Sequence, residues 1–181
     1  SEDEEENSVK ITGYKEDENI KEISIPSEID GMKVTAIGES AFMDCTVLTG
    51  ITIPDTVTDI DDYAFQGCYS LMDIVIPNSV THIGEYAFAD CGDLASVTIP
   101  ESVEWLNSYA FYNCSDLISV TIPASVGSIS ESVFEGCSSL TSVVISDSIR
   151  KIGNTAFKGC GNLTSITIPS SVESIGAKAF E

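Results

Sequence analysis

Apolar side chains recur along this chain with a period of 23 residues. One unit runs Leu48-x-x-Ile51-x-Ile53-Pro54, and the corresponding positions before the proline are apolar in every later unit. The most regular position is a phenylalanine, preceded by alanine except at Val133: Phe42, Phe65, Phe88, Phe111, Phe134, Phe157 and Phe180. A fixed period of about 20 to 50 residues predicts a solenoid, in which each repeat forms one coil and packs against its neighbours.

Each unit contains two segments with the pattern of a short strand. In the unit that begins at Leu94, Val97 and Ile99 alternate with polar residues, which is typical of a half-buried strand. Pro100 then ends the strand, because proline has no N–H group to donate to a neighbouring strand. A second extended segment follows at residues 103–106. Each coil is therefore predicted to hold a strand, a corner and a second, shorter strand.

Turn-forming residues occupy three further registers. A positive φ or a side-chain-bonded turn is predicted at Gly38, Asp61, Gly84, Asn107, Ser130, Gly153 and Gly176. The Ala-Phe segment is predicted to form one helical or 3₁₀ turn, closed by a left-handed residue at Asp44, Gly67, Asp90, Asn113, Gly136 and Gly159. A corner hydroxyl is predicted to bond a backbone amide at Thr56, Ser79, Ser102, Ser125, Ser148 and Ser171.

All six cysteines fall in one register: Cys45, Cys68, Cys91, Cys114, Cys137 and Cys160. Stacked coils lie about 4.8 Å apart, but equivalent positions point their Cβ atoms in parallel, whereas a disulfide needs them to converge. We therefore expect free thiols that pack with the phenylalanines as small buried groups. A linear row of cysteines also cannot surround a zinc ion tetrahedrally, so no metal site is predicted.

The complete pattern is Leu-x-x-Ile/Val-x-Ile-Pro-x-Ser-Val-x-x-Ile-Gly-x-x-Ala-Phe-x-x-Cys, and it closely resembles the BspA-like branch of the leucine-rich repeats. The resemblance covers residues 20–180. It implies a right-handed superhelix with a parallel β-sheet on one face and short strands with 3₁₀ or helical turns on the other. It also implies a protein that is surface-exposed or secreted, since similar proteins are associated with adhesion to host or matrix proteins and with binding to other cells.

The repeats define the domain organisation. Residues 1–8 predict a flexible acidic tail, and residues 9–181 predict one solenoid. An N-terminal cap and a long first repeat occupy residues 9–47, with extra residues at 29–33. Later repeats begin at residues 48, 71, 94, 117, 140 and 163, and the last is truncated. Because that coil stops before its turn residue and cysteine, we expect the native chain to continue past Glu181 or this end to pair with another chain.

Charge narrows the class of partner. The chain carries 29 acidic and 8 basic residues, a formal net charge of −21, and no lysine or arginine occurs between residues 34 and 149. Such a surface repels nucleic acids and anionic membranes, and no apolar run approaches the ~20 residues of a membrane span. A basic or neutral partner is favoured. The acidic group Asp59, Asp61 and Asp62 lacks the spaced ligands of a calcium-binding loop.

The sequence offers little material for catalysis. His82 is the only histidine, and we identify no nucleophile or orienting carboxylate for it. The cysteines are predicted to be buried, and no phosphate-binding loop or cofactor fingerprint is present. We therefore expect no enzymatic activity, no cofactor and no metal.

Two surfaces remain as candidates for binding. One is a nearly uncharged array of serine and threonine on the outward side of the strands. The other is a patch of exposed aromatic and imidazole side chains: Tyr63, His82, Tyr86, Trp105, Tyr109 and Tyr112. Grouped aromatic residues are typical of interface cores, but tyrosines that only cover the turn side of the solenoid give the same pattern.

These features predict a non-enzymatic, adhesin-like binding module, located at the cell surface or secreted. Its expected partner is a protein, or a glycan, of a host, a matrix or another cell, and a basic protein fits the charge. Neither nucleic acid binding nor direct membrane insertion of this chain is expected. The competing hypothesis is a structural stalk that presents another domain, which uniformly polar outer positions favour.

Overall fold

The alternation of apolar and polar residues produces short strands throughout residues 8–15 and 19–181, the parts of the chain that the computed structural model describes. The strands are β1 (Ser8–Ile11), β2 (Glu22–Ser24), β3 (Glu28–Ile29), β4 (Met32–Ile37), β5 (Gly50–Thr52), β6 (Asp59–Ile60), β7 (Asp73–Val75), β8 (His82–Ile83), β9 (Ser96–Thr98), β10 (Trp105–Leu106), β11 (Ser119–Ile122), β12 (Ser128–Ile129), β13 (Ser142–Ile145), β14 (Lys151–Ile152) and β15 (Ser174–Ile175). Among the described residues the only helix is one 3₁₀ turn at Ala124–Val126. The strands stack as a β-solenoid of about seven coils.

Equivalent strands of successive coils pair in parallel. The long sheet has the order β13-β11-β9-β7-β5-β2, and paired residues lie one repeat apart, as in Ile74 beside Val97. A second sheet has the order β1-β4-β6-β8-β10, with β3 beside β4, and a third has the order β12-β14-β15. Inward residues of both strand types, such as Ile74 and Ile60, are buried. The predicted solenoid with parallel strands is confirmed.

The second and third sheets are separated by an irregularity between β10 and β12. This interval contains the 3₁₀ turn at Ala124–Val126 and Gly127, whose φ is 68°. The long sheet continues past it, since β11 pairs with both β9 and β13. The interruption leaves β10, which carries Trp105, at the edge of the second sheet.

The N-terminal segment pairs with the first coil. β1 pairs with β4 and β2 pairs with β5, both in parallel. The extra residues at 29–33 form an antiparallel hairpin between β3 and β4. Its two turn residues, Asp30 and Gly31, have φ values of 52° and 82°, as a type I′ turn requires. Residues 1–7 of the predicted acidic tail lie outside the described residues, and Ser8 already belongs to β1.

The phenylalanines stack along the solenoid axis and form the centre of the core. Consecutive ring centroids are 5.2–5.7 Å apart, and the ring planes differ by 11° or less. We call this stack the phenylalanine ladder: Phe42, Phe65, Phe88, Phe111, Phe134, Phe157 and Phe180. Tyr14 adds one more ring, 5.6 Å from Phe42. The interior rings are fully buried, whereas Phe180 is 41% exposed.

The cysteines pack beside this ladder, and the prediction of buried free thiols is confirmed. The Cys114 Sγ–H group donates to the carbonyl oxygen of Phe88, one coil earlier, at 3.2 Å. Four other thiols repeat this contact, namely those of Cys68, Cys91, Cys137 and Cys160. Burial raises the pKa of the Cys114 thiol well above its ordinary value and that of Cys160 to about 11. The thiols are therefore packing groups and weak donors, and those of Cys114 and Cys160 remain protonated at neutral pH.

The third face of each coil, here called the turn face, is built from consecutive tight turns. The residue before each cysteine is left-handed as predicted, with a φ of 58° at Asp44 and 76° at Gly159. A second left-handed register lies four residues earlier: Ser40, Tyr63, Tyr86, Tyr109, Ser132, Thr155 and Lys178. Because these residues interrupt a right-handed backbone, the Ala-Phe segment does not form the predicted helical or 3₁₀ turn.

On the turn face, the backbone hydrogen bonds of three N–H groups per coil run in one direction along the stack. The N–H group of Tyr63 donates to the carbonyl of Glu85 in the next coil at 2.8 Å, and the residues two and four positions after Tyr63 do the same. The carbonyl of Asp62, in the same peptide group as the Tyr63 N–H, accepts from Ser40 in the preceding coil. The pattern recurs in each later coil up to Gly159. Three columns of hydrogen-bonded peptide groups therefore run through the stack.

Two interpretations of the corners are wrong in detail. The residues in the register of Gly84 have no positive φ in any described coil. A Cβ atom at Gly84 would lie 2.5 Å from the backbone nitrogen of Asp62. Glycine is therefore needed there because the preceding coil lies so close.

The second correction concerns the corner hydroxyls, which bond carbonyls and not amides because they point toward the preceding coil. Ser79, for example, donates to Val57 O at 2.6 Å. The buried hydroxyls of Ser125 and Ser171 have no partner among the described residues.

Candidate functional site

Three tyrosines of the predicted patch form a second stack of rings, on the outside of the turn face. The ring centroids of Tyr63 and Tyr86 are 5.2 Å apart and those of Tyr86 and Tyr109 are 4.5 Å apart, with planes within 6° of parallel. Tyr112 packs edge-on against Tyr109 at 5.9 Å. All four side chains are partly buried. We call Tyr63, Tyr86 and Tyr109 the tyrosine ladder.

The backbone holds the tyrosine ladder in an unusual conformation. Its residues have φ values of 54–61°, which bulky side chains rarely adopt because Cβ approaches the following carbonyl oxygen. The hydrogen bonds to the next coil hold this conformation in place. Ser132 and Thr155 adopt the same φ region in later coils, at 52° and 50°. The fold therefore imposes the backbone conformation on every coil and does not require an aromatic side chain there.

Carboxylates border the tyrosine ladder. The Tyr109 hydroxyl donates to Glu131 Oε1 at 3.2 Å, and Glu85 is directly adjacent to Tyr86 in sequence. Burial raises the pKa of the Tyr86 phenol above its ordinary value, and the neighbouring tyrosines and Glu85 add to the effect. The Tyr86 phenol therefore stays neutral at physiological pH.

Beyond Tyr109 the same face of the solenoid becomes a polar cluster. Ser132 Oγ lies 2.6 Å from Thr155 Oγ1 and donates to Glu135 Oε2 at 2.7 Å. Lys158 Nζ binds the other oxygen of Glu135 at 2.8 Å. Burial acts to raise the pKa of the Glu135 carboxyl, but hydrogen bonds from Lys158 and Ser132 outweigh it, and the pKa is lowered. In this part of the turn face, the charged groups and hydroxyls are therefore hydrogen-bonded to one another.

His82 and Trp105 form a separate group on the second sheet. They pair directly across β8 and β10, and Trp105 is 57% exposed. Contrary to the sequence interpretation, an orienting carboxylate lies beside the imidazole, since Asp59 Oδ1 is 3.7 Å from His82 Nδ1. The other ring nitrogen, Nε2, is 3.0 Å from Asn107 Nδ2. Both nitrogens of His82 therefore have neighbours within the protein, and neither points at a reactive group.

The six predicted patch residues thus lie in two groups. Tyr63, Tyr86, Tyr109 and Tyr112 are joined by ring contacts. No ring contact connects them to Trp105 within the parts of the chain that the structure describes. A corner of the coil separates the two groups, because residues 105–106 belong to a strand and Tyr109 belongs to the turn face. Whether the patch binds a partner stays a prediction.

The acidic group at Asp59, Asp61 and Asp62 is engaged inside the protein. Asp61 forms an ion pair with Lys10 at 2.6 Å, and Asp62 Oδ1 accepts the N–H of Glu85 at 2.7 Å. Asp59 lies beside His82 and also accepts from the Thr58 hydroxyl at 2.6 Å. Across residues 8–15 and 19–181, no three His, Cys, Asp or Glu side chains are placed to hold a metal ion together.

The long sheet carries an exposed apolar area that the sequence interpretation missed. Tyr69, Met72 and Val75 follow one another in a single coil, and each is more than half exposed. Ile118, directly before β11, and Val144, on β13, are exposed to a similar extent. The signal was available, since Val75 and Val144 replace threonine in an outward register. Single exposed apolar residues are common, however, so each one alone predicts nothing.

The repeats that build these faces match a known family model. The model of the BspA type leucine rich repeat region matches residues 7–137 and 58–181, in six copies. The chain belongs to the BspA-type leucine-rich repeat family. The resemblance inferred from the 23-residue pattern is therefore confirmed.

Solved structures of other leucine-rich repeat proteins share the fold. A leucine rich cell surface protein from Faecalibacterium prausnitzii A2-165 is 37% identical over 97% of this chain and 48% of its own, with a TM-score of 0.88. A leucine-rich repeat protein from Eubacterium ventriosum is 30% identical over 97% of this chain and 46% of its own, with a TM-score of 0.83. The T. pallidum leucine rich repeat protein is 31% identical over 80% of this chain and 78% of its own, with a TM-score of 0.70.

The chain spans about half the length of the first two of these proteins. No curated protein matches it. Leucine-rich repeat proteins of this type are generally non-enzymatic. Within the described residues of this BspA-type repeat chain, no helix has the length and apolar character to cross a membrane.

Proposed function

We propose that this chain is a non-enzymatic, adhesin-like module, exposed on a cell surface or secreted, which recognises a protein partner through its aromatic patch. The patch consists of Tyr63, Tyr86, Tyr109 and Tyr112 on the turn face, with Trp105 and His82 on the adjoining sheet. Large aromatic side chains supply most of the affinity in protein interfaces, because they bury a large area at a small cost in conformational entropy.

The observation that carries this proposal is the internal comparison along the turn face. Ser132 and Thr155 occupy the register of the tyrosine ladder with the same backbone conformation. Since the fold is built with serine or threonine at this position, stability alone does not account for three successive tyrosines. Trp105 adds a side chain that is mostly in solvent, and burying such a side chain against a partner is favourable.

Charge supports a basic protein as the partner. The tyrosine ladder lies within residues 34–149, which contain no lysine or arginine. Complementary charge speeds association with a basic partner and makes it sensitive to salt, whereas nucleic acids and anionic membranes are repelled. Location at a cell surface is supported by the F. prausnitzii protein, which is described as a cell surface protein.

A structural stalk is the second candidate. The observation in its favour is that the tyrosine rings stack on one another and are partly buried, so that part of their surface is already used within the chain. In that case the tyrosines stiffen the coil stack, and another part of a longer protein makes the functional contact.

The experiment that tests the proposal measures capture of extracellular matrix proteins and of intact neighbouring cells by the immobilised chain. Trp105→Ala combined with Tyr109→Ala removes two anchors, and we expect binding to an identified partner to weaken by at least ~2 kcal/mol. The matched control is Tyr69→Ala combined with Ile118→Ala, which removes two exposed side chains outside the aromatic patch, one in the turn after Cys68 and one directly before β11. Normal binding by the Trp105 and Tyr109 variant, together with a lower melting temperature, would favour the stalk.

A further inference from the structure

The tyrosine ladder ends differently on its two sides. On the side of Tyr109 the next coil holds Ser132, which is buried and bound to Glu135 and Thr155. On the side of Tyr63 the preceding coil holds Ser40, which is exposed and makes no side-chain hydrogen bond among the described residues. The ring face of Tyr63 that points toward Ser40 is therefore not covered by another ring of the ladder.

An exposed carboxylate lies next to this uncovered ring face. Glu39 is adjacent to Ser40 and forms no ion pair within the described chain. Lys10, on which Glu39 acts electrostatically, is held by Asp61 at 2.6 Å. Asp62, in the equivalent position one coil later, accepts the N–H of Glu85 on the other side of Tyr63. The position above Ser40 thus combines an aromatic face with a carboxylate that is not paired within the described residues.

A planar cation is the chemical group that fits these features. An arginine guanidinium is attracted to an aromatic face when it lies within about 6 Å of the ring centroid. The ladder already spaces its own rings by 5.2 Å at Tyr63 and Tyr86, so a guanidinium one step before Tyr63 lies within that range. Its N–H groups can bind carboxylates in pairs, which the ammonium of lysine cannot do.

We propose that the face of Tyr63 above Ser40 is a stacking site for an arginine side chain of the protein partner, with Glu39 as its carboxylate acceptor. The guanidinium forms the next step of the tyrosine ladder, in the place where Ser40 leaves room. This inference rests on the proposed function, because it assigns a ligand class to one end of the same aromatic patch.

The test uses a small probe in place of the unidentified partner. The peptide acetyl-Gly-Arg-Gly-Arg-Gly-amide is titrated into the chain by NMR, and its affinity is compared with peptides that carry citrulline or lysine in place of arginine. Citrulline keeps the planar shape and loses the charge. We expect the citrulline peptide to bind at least tenfold more weakly, the lysine peptide to be intermediate, and raised salt to weaken the arginine peptide.

Substitutions at Ser40 separate this site from general attraction by the acidic surface. Ser40→Tyr extends the ladder into the proposed site, and its backbone already has the conformation of Tyr63, with φ values of 56° and 59°. We expect Ser40→Tyr to weaken arginine-peptide binding at least tenfold, Glu39→Gln to weaken it about threefold, and Ser40→Ala to leave it within twofold. Asp147→Asn, which removes one charge from the strand side, is the matched charge control and is expected to have no effect.

Two outcomes overturn the proposal. One is unchanged binding of the arginine peptide to a folded Ser40→Tyr variant. The other is an equal loss of peptide affinity in Glu39→Gln and Asp147→Asn, which indicates unspecific attraction by the acidic surface. Association of two copies through Arg150, the only arginine of the chain, also contradicts it and is detected by sedimentation. If Ser40→Tyr leaves the peptide bound while the Trp105 and Tyr109 variant still loses the whole partner, this site fails and the proposed function stands.

Discussion

The phenylalanine ladder and the tyrosine ladder have nearly the same geometry and very different extents. Both stack rings about one coil apart with almost parallel planes, at 5.2–5.7 Å for phenylalanine and 4.5–5.2 Å for tyrosine. The phenylalanines occur in every coil and, except for Phe180, are buried inside. The tyrosines occur in three coils and lie at the surface, where other coils hold serine, threonine or lysine.

The difference separates what the fold requires from what it permits. A side chain present in every coil and fully buried belongs to the core, since any coil without it would contain a cavity. A side chain present in only some coils, on a backbone that is the same in all of them, is not required by the fold. The comparison therefore makes stability the expected role of Phe111, whereas recognition by Tyr86 stays a proposal.

The largest expected effect is that of Phe111→Ala. It removes a fully buried ring between Phe88 and Phe134, and we expect the free energy of unfolding to fall by about 3–5 kcal/mol. Urea unfolding followed by circular dichroism measures this. Phe180→Ala is the control, because its ring is partly exposed and contacts one neighbour. Equal losses in the two variants would contradict a stabilising role for the interior of the ladder.

A smaller effect is expected for Tyr86→Ser. This change gives the third coil the residue that Ser132 provides two coils later, and it removes the stacking contacts with Tyr63 and Tyr109. Since an aromatic pair contributes about 0.5–1.5 kcal/mol, the free energy of unfolding should fall by roughly 1–3 kcal/mol, less than for Phe111→Ala. A loss as large as that of Phe111→Ala would assign the tyrosines to the core and favour the stalk.

The smallest expected effect concerns the alkaline limit of stability. The pKa of Tyr86 is raised above its ordinary value of 10.0, mainly by burial. Its neutral form is thus favoured by folding, and the stabilisation that depends on it is complete below pH 10 and is lost as the pH rises through the folded-state pKa. Tyr86→Phe should therefore lose less stability than the wild-type chain between pH 9 and pH 11 in thermal melts. If the melting temperatures of the two proteins fall in parallel over this pH range, ionisation of the Tyr86 phenol does not cause the loss of stability.

Much of the fold follows from the sequence because each register repeats. The strand, the proline corner and the left-handed residue before each cysteine are signalled by alternation, by proline, and by glycine, asparagine or aspartate at a position such as Asn113. The left-handed register at Tyr63 and Thr155 has no such signal, since neither residue favours that conformation. Hydrogen bonds to the next coil impose it, and such bonds are visible only once the coils are stacked.

The sequence predicted which residues form the candidate site, but it did not predict that they lie in two separate groups. The register of Tyr63, Tyr86 and Tyr109 placed their rings near one another, which the structure bears out. The separation of Trp105 from that group depends on a corner whose angle the sequence does not encode locally. The exposed apolar side chain of Val75 was not singled out because it lies in a strand register that mostly holds threonine, and Thr98 is its neighbour across the sheet.

The three columns of peptide groups on the turn face each have an electrical direction. A peptide group carries a dipole of about 3.5 D, and the dipoles within one column add, because the N–H groups of Tyr63, Phe65 and Gly67 and of their equivalents all donate to the following coil. Next to the second sheet the direction is reversed, since the N–H groups of Thr81 and Gly84 donate to the preceding coil. The columns on different sides of the solenoid therefore oppose one another, and each is a continuous chain of hydrogen bonds. Hydrogen bonds in such chains polarise one another, so each coil added to the stack is expected to strengthen the bonds between the coils already present.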